Sequence, residues 1–425
     1  MGRASWRLRP GRSSTGFHPV SRSFKRHEHQ GVHAVHADPN PKHTPYRCKT
    51  VLSVFGSRPE AIKMAPVLSE LKALHGIQTR VCFTGQDRDM LEQTLGLFGV
   101  DTDYDLEIVR DNSSLFDTTT ESLPALREVM LDAKPDMVMV HGDTTTALSA
   151  ALAAFYLRVP VAHVEAGLRS FDKWSTWPDE FNRRTIDTIA DLHFAPTARA
   201  RQNLLAEKTP DGSIFVTGNT SVDAAHTIAA RQDDFPMLRQ RFNNRPLVLL
   251  SVHRRENFGR PMEKIFTTVR TWARQNPGCS VIFPVHPNPN ITRSARDILG
   301  ELRNVSLIPP VDYTQSIFLL RNCQFVMTDS GGLQEEAPAF GKPVVILRDT
   351  TERPESIENG SAIMTGSDPE KIMTVMTALS NAHSDSYRRM AAAGNPFGDG
   401  RAAHRIASIV QRSLAPALVE SGRVL

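Results

Sequence analysis

The sequence predicts an α/β protein of two doubly wound domains, each built on a parallel sheet. Three observations carry this. The chain of 425 residues is too long for one ordinary core. From Thr50 onward, continuous apolar runs alternate with longer helical patterns, as expected for parallel strands covered on both faces. The series then restarts after residue 225, past a polar stretch over 231–246.

The elements follow in order. In the first half, 50–56 reads as a buried strand and 59–74 as a helix, then 78–85 as a strand and 88–99 as a helix. Next come a strand at 136–143, a helix at 144–158 and strands at 160–167, 192–197 and 213–218. In the second half the strand candidates are 246–253, 279–286, 304–310, 324–331 and 342–349. An amphipathic helix near 400–413 closes the series. The expected divisions are a basic leader over 1–48, a first domain over 49–225, a second over 226–390, and a closing segment over 391–425 that can pack back on the first.

Composition narrows the function classes. With 40% hydrophobic and 23% charged residues, the chain has the balance of a soluble globular protein. No apolar run approaches the roughly 20 residues of a membrane helix, so no membrane partner is expected. The net charge of +4 is misleading. Residues 1–50 hold ten Lys/Arg against Glu28 and Asp38, a net +8, and the other 40 basic and 44 acidic residues net −4. A nucleic-acid partner is therefore not indicated for the body. The leader is too poor in aliphatic residues to offset chain entropy and reads as disordered. It lacks the apolar core of a secretory signal, and its Arg/Ser bias suits a transit peptide or a start codon assigned too early. Cys48, Cys82, Cys279 and Cys323 are widely spaced and form no metal-like pair, which points to a reducing cytoplasm and no metal.

In open α/β sheets ligands bind beyond the carboxyl ends of the strands, and here the loops at those ends are rich in charge. "GSRPEAIK" is neither a dinucleotide fingerprint nor a P-loop. Pro59 and Glu60 suit a helix start, whereas Arg58 at a positive helix end asks for an anion. "TDSGGLQEE" ends a strand at Asp329 and opens a helix at Ser330, Gly331 and Gly332, where a phosphate can approach backbone N–H groups. Glu335 or Glu336 can accept from ribose hydroxyls. His253, beside two arginines and a glutamate in "HRREN", suits phosphate binding or proton transfer. His286, in "PVHPNPN", is a site residue or part of a rigid turn. Asp143 either caps the helix that begins at Thr144–Thr146 or is a catalytic carboxylate. In "HVEAGLRSFDKWSTWPDEFNRR", an exposed i,i+4 pair with Arg183 accounts for Asp179 alone, leaving Glu165 at a strand end unexplained. Several carboxylates in one cleft push their pKa values apart and supply an acid and a base.

The motifs "FGSRPEAIKMAP", "TGQDRDML", "VHGDTTT", "HVEAGLR", "TGNTSVDA", "HRRENFG", "DSGGLQEEAP" and "DTTERPE" together resemble the non-hydrolysing UDP-N-acetylglucosamine 2-epimerases, over about residues 50 to 415. The resemblance implies a GT-B fold: two Rossmann-like doubly wound parallel-sheet domains facing a cleft, in a homodimer. It implies interconversion of UDP-GlcNAc and UDP-ManNAc by elimination and re-addition of UDP through a 2-acetamidoglucal, a scheme that requires no NAD and no metal. By resemblance Asp143, Glu165 and Asp179 match acid/base carboxylates and His253 an essential histidine. Arg58, Lys63, Arg183, Ser330, Gly331, Gly332 and Glu336 match residues that hold UDP or organise the cleft. Gln86 and His286 match a second, activating UDP-sugar site.

Three departures from the family pattern stand out. Asp179 replaces a glutamate, Asp87 replaces a histidine, and Ser316 stands where an aromatic is expected beside uracil. They leave room for alternatives: a C2 epimerase of another UDP-2-acetamido sugar, a hydrolysing 2-epimerase, a GT-B glycosyltransferase, or an inactive sugar-nucleotide sensor.

Overall fold

Two all-parallel sheets form the computed structural model, which describes residues 48–85, 93–108, 114–174, 177–243 and 245–415. The first holds β1 (Lys49–Phe55), β2 (Ile77–Phe83), β3 (Tyr104–Asp105), β4 (Met137–His141), β5 (Val161–Val164), β6 (Leu192–Ala195) and β7 (Ile214–Val216). Its order is β3-β2-β1-β4-β5-β6-β7. The second holds β8 (Leu247–Ser251), β9 (Ser280–Pro284), β10 (Val305–Ile308), β11 (Phe325–Thr328), β12 (Val344–Ile346) and β13 (Ala362–Met364), in the order β10-β9-β8-β11-β12-β13. Every predicted apolar run is a strand. The two edge strands β3 and β13 escaped sequence reading because two or three residues show no periodicity. The leader, the loop containing Gln86 and Asp87, and the first part of the predicted helix 88–99 lie outside the described residues.

Packing explains why the runs are continuously apolar. Val51, Val54, Val138 and Val140 of the central strands are fully buried between helices on both faces. The helix Thr145–Tyr156 buries Ala147, Ala150, Ala151, Ala153 and Ala154, small side chains that let it lie close to the sheet. The helix Arg58–Lys72 is buried on most of its surface, with Pro59 in its first turn and Ser57 as its N-cap. It is enclosed because the last helix, Ala402–Leu414, lies against it and places Ala403, Ile406, Ala407 and Val410 in the core of the first sheet.

The lobes share apolar contacts. Ile62, Ala224, Ala225 and Ile228 join one cluster with Leu249, Ile317 and Leu319 of the second lobe. The helix Thr220–Ala230 that carries three of them spans residue 225, so the first lobe passes into the second along a continuous helix. Among the described residues no helix is long and apolar enough to cross a membrane.

Ile406 is fully buried in the first core. Ile406→Ala is expected to lower stability by about 2–5 kcal/mol, measured by chemical denaturation.

Candidate active site

Strand order reverses beside β1 in the first sheet and beside β8 in the second. At each reversal the loops leave in opposite directions and open a crevice. The two crevices meet in one interlobe cleft of about 610 Å³. From the first lobe Arg58, Lys63, Asp143, Glu165 and Asp179 line it. From the second come His253, His286, Ser330, Gly331, Gly332 and Glu336. Arg183 lies behind this wall, 3.3 Å from Asp143 and 3.4 Å from Glu180. Gln86 is outside the described residues.

On the first lobe, Glu165 follows β5 with φ of 70°, a left-handed conformation unusual for glutamate. Its Oε2 accepts from Lys63 Nζ at 2.5 Å and from Asn219 Nδ2 at 2.9 Å, and lies 3.6 Å from His141 Nε2. Burial opposes its charge, but Lys63, His141 and Arg353 outweigh burial and hold the carboxyl well below its usual range. Asp143 does not cap the following helix; the Thr144 hydroxyl does, accepting from Ala147 N. That leaves the Asp143 carboxylate to Arg183. Asp179 begins the helix Asp179–Ile189. Burial and then the Asp143 carboxylate push Asp179 up to about 7, against the pull of Arg183 and Arg254. The simple pairing of Asp179 with Arg183 is therefore incomplete, because Arg183 also serves Asp143 and Glu180 and reaches the Asp179 carbonyl with Nε. Glu180 cannot stand in for Asp179. It is buried, and its carboxylate accepts the backbone N–H groups of Ser170 and Phe171. His163 and Arg169 are structural, both held by Asp187.

On the second lobe, Asp329 organises the loop after β8. Fully buried, it accepts from the backbone N of His253 and Arg254 and from Asn257 Nδ2. The His253 ring stacks on His286 with centroids 6.1 Å apart, and His286 lines the same cleft. Burial lowers the His253 pKa despite Asp329, which keeps the ring neutral near pH 7. Ser330 makes no side-chain cap bond, so its hydroxyl is left to the cleft. The two glycines differ: a Cβ at Gly331 would lie 2.7 Å from Arg353 Nη1, whereas Gly332 meets nothing nearer than Ser330 Oγ at 3.9 Å. Gly331 thus answers Arg353, and Gly332 leaves backbone open to the cleft. Of the two ribose candidates, Glu335 is fully buried between Lys63 at 2.9 Å and Arg353 at 2.5 Å. Glu336 lines the cleft, accepts from the Tyr313 hydroxyl at 3.1 Å, and is pushed up to about 8 by burial.

A chain of alternating charges joins the lobes. Glu256 pairs with Arg348, Arg348 with Glu352, Glu352 with Arg353, Arg353 with Glu335, and Glu335 with Lys63, which ends on Glu165. Sequence reasoning missed Asp329, Glu352, Arg353 and Asn219 as site residues, although all four stand in the motifs "DSGGLQEEAP", "DTTERPE" and "TGNTSVDA".

This geometry can be set beside known proteins. The family model for UDP-N-acetylglucosamine 2-epimerase matches residues 69–411. A UDP-N-acetylglucosamine 2-epimerase of Yersinia pestis is 46% identical over 364 residues, 84% of this chain and 96% of that protein. The chain belongs to the UDP-N-acetylglucosamine 2-epimerase family. The Neisseria meningitidis UDP-GlcNAc 2-epimerase bound to UDP-GlcNAc superposes with a TM-score of 0.81 at 42% identity, covering 85% of this chain and all (100%) of that one. The S. aureus MnaA–UDP structure gives 0.80 at 38%, covering 86% and 97%. The GT-B arrangement of two lobes is thus the fold of this epimerase family.

Followed by 13C NMR of labelled aspartates, Asp179 is expected to titrate near pH 7. Asp143→Asn removes the neighbouring negative charge and is expected to move that titration to lower pH.

Proposed function

We propose that the protein reversibly epimerises UDP-N-acetylglucosamine to UDP-N-acetylmannosamine at C2. The observation that carries this is a cleft with carboxyl groups of opposite protonation tendency on one wall and an anion-accepting loop set on the other. Glu165 is held ionised, while Asp179 beside Asp143 is poised near neutral pH. Ser330, Gly332 and His253 face them from the second lobe.

The hydrogen on C2 is not next to a carbonyl, so a carboxylate alone cannot remove it. When the C1–O bond breaks, its electron pair leaves on the β-phosphate oxygen of UDP and C1 becomes positive. The C2 proton then passes to a carboxylate, and the C–H pair forms the C1=C2 bond of 2-acetamidoglucal. Protonation of C2 from the other face and return of the UDP oxygen to C1 give the epimer. Arg58, Lys63 and His253 oppose or hydrogen-bond the charge that develops on the diphosphate, Arg183 holds Asp143 from behind the wall, and Glu336 receives the ribose. A proton carrier works best with a pKa near the working pH, which suits Asp179. An ionised Glu165 stabilises the positive charge at C1. Closure between the lobes keeps water from the glycal.

The same reading takes the protein as a homodimer in a reducing cytoplasm. The four unpaired cysteines support the compartment. Exposed Phe155, Tyr156 and Phe181, on helices that pack side by side, support self-association.

In deuterated water, UDP-GlcNAc is expected to become UDP-ManNAc carrying deuterium at C2, read by NMR and mass spectrometry. Stoichiometric accumulation of free UDP would instead indicate a hydrolysing enzyme. Asp179→Asn is expected to lower kcat by about 10²–10⁴-fold, the range for loss of a general acid/base group, measured by UDP-ManNAc formation.

A further inference from the structure

We infer that Asn219 is a positioning residue for Glu165, holding one carboxylate oxygen so that the other is offered to the cleft; this rests on the epimerase reading. Asn219 stands in "TGNTSVDA", a motif to which the mechanism above assigns no residue. It follows β7 as the N-cap of the helix Thr220–Ala230 and is buried.

Its side chain has one orientation available. Oδ1 accepts from Ser221 N at 2.9 Å, so the amide must present its NH2 group on the other side. There Nδ2 donates to Glu165 Oε2 at 2.9 Å. The Asn219 backbone N donates to the Phe397 carbonyl at 2.7 Å, which fixes the main chain beneath the amide. One turn along the helix, the Asp223 carboxylate accepts from Ala402 N at 3.2 Å and Ala403 N at 2.8 Å, tying down the start of the last helix. The motif thus joins the Glu165 carboxylate to the returning C-terminal segment.

Glu165 needs such a partner. Its backbone is in the left-handed region, and its other close donor, Lys63, is shared with Glu335 of the second lobe. Among the described residues Asn219 is the neutral side chain within 3 Å of this carboxylate, with His141 Nε2 farther off at 3.6 Å, and both Asn219 and Glu165 belong to the first lobe. Its hold does not depend on the ion pairs across the cleft. Among the described residues Oε2 takes both donors, whereas Oε1 has Arg353 Nη2 at 3.9 Å, beyond hydrogen-bond reach. Oε1 is therefore the oxygen left for the sugar.

The test compares Asn219→Ser and Asn219→Asp with the wild type. Both replacements are good N-caps, so the helix start is kept. Serine is too short to reach Glu165, and aspartate sets an acceptor where the donor was. With UDP-GlcNAc, Asn219→Ser is expected to lower kcat roughly 10- to 100-fold, as for loss of a hydrogen bond to a charged group, with KM within about twofold. Asn219→Asp is expected to lose more. The acidic limb of the kcat profile moves to higher pH in both, because an ionised carboxylate deprived of a donor binds its proton more tightly. The Glu165 titration, followed by 13C NMR without turnover, rises likewise. A folded Asn219→Ser protein with wild-type kcat and Glu165 titration overturns the inference. A shifted Glu165 titration in a protein whose wild type exchanges no deuterium into C2 overturns the epimerase reading and leaves the positioning role standing.

Discussion

Lys63 stands between Glu165 of its own lobe and Glu335 of the other, and the cleft is organised around that cation. Burial works against the lysine's charge, yet the two glutamates hold its pKa above the ordinary value. All three side chains are nearly or fully buried. Removing one member of such a cluster leaves an uncompensated charge, at a cost of about 3–5 kcal/mol. The cluster therefore favours the arrangement in which the lobes face each other. It also keeps Glu165 ionised, and it extends through Arg353 and Arg348 to the loop that carries His253.

The two walls then divide the chemistry. The second lobe offers an alcohol, an open backbone and a neutral imidazole, groups suited to an anion that must be released and held. The first lobe offers three carboxylates in unlike surroundings. Glu165 is surrounded by cations and by the Asn219 amide, so it stays charged. Asp179 shares its space with Asp143 and Glu352, so its proton is held to near neutrality. Two protonation states of one functional group are what a proton relocation on a sugar ring requires.

Much of this was legible in the sequence. Strands buried on both faces carry a strong continuous signal, and their ends are where an α/β protein places its loops. That alone located Asp143, Glu165, His253 and Ser330. What could not be read depends on contacts between distant segments. Glu335 and Glu336 are neighbours in a short helix, and only packing shows that one faces Lys63 and the other the cleft. Glu180, next to Asp179 in the chain, is turned away by bonds from the Ser170 and Phe171 backbone N–H groups. Gly331 lines the cleft, and only packing shows that Arg353 lies where its Cβ would be. Asn219 caps the helix Thr220–Ala230, and its second partner, Glu165, lies 54 positions earlier in the chain.

A crystal structure of the protein with UDP tests the division between the lobes most directly. The diphosphate is expected against Ser330 and the Gly332 backbone, within hydrogen-bond reach of His253. The space beyond its terminal phosphate should be bounded by Asp143, Glu165 and Asp179. UDP seated elsewhere, or a terminal phosphate turned away from those three carboxylates, would contradict it.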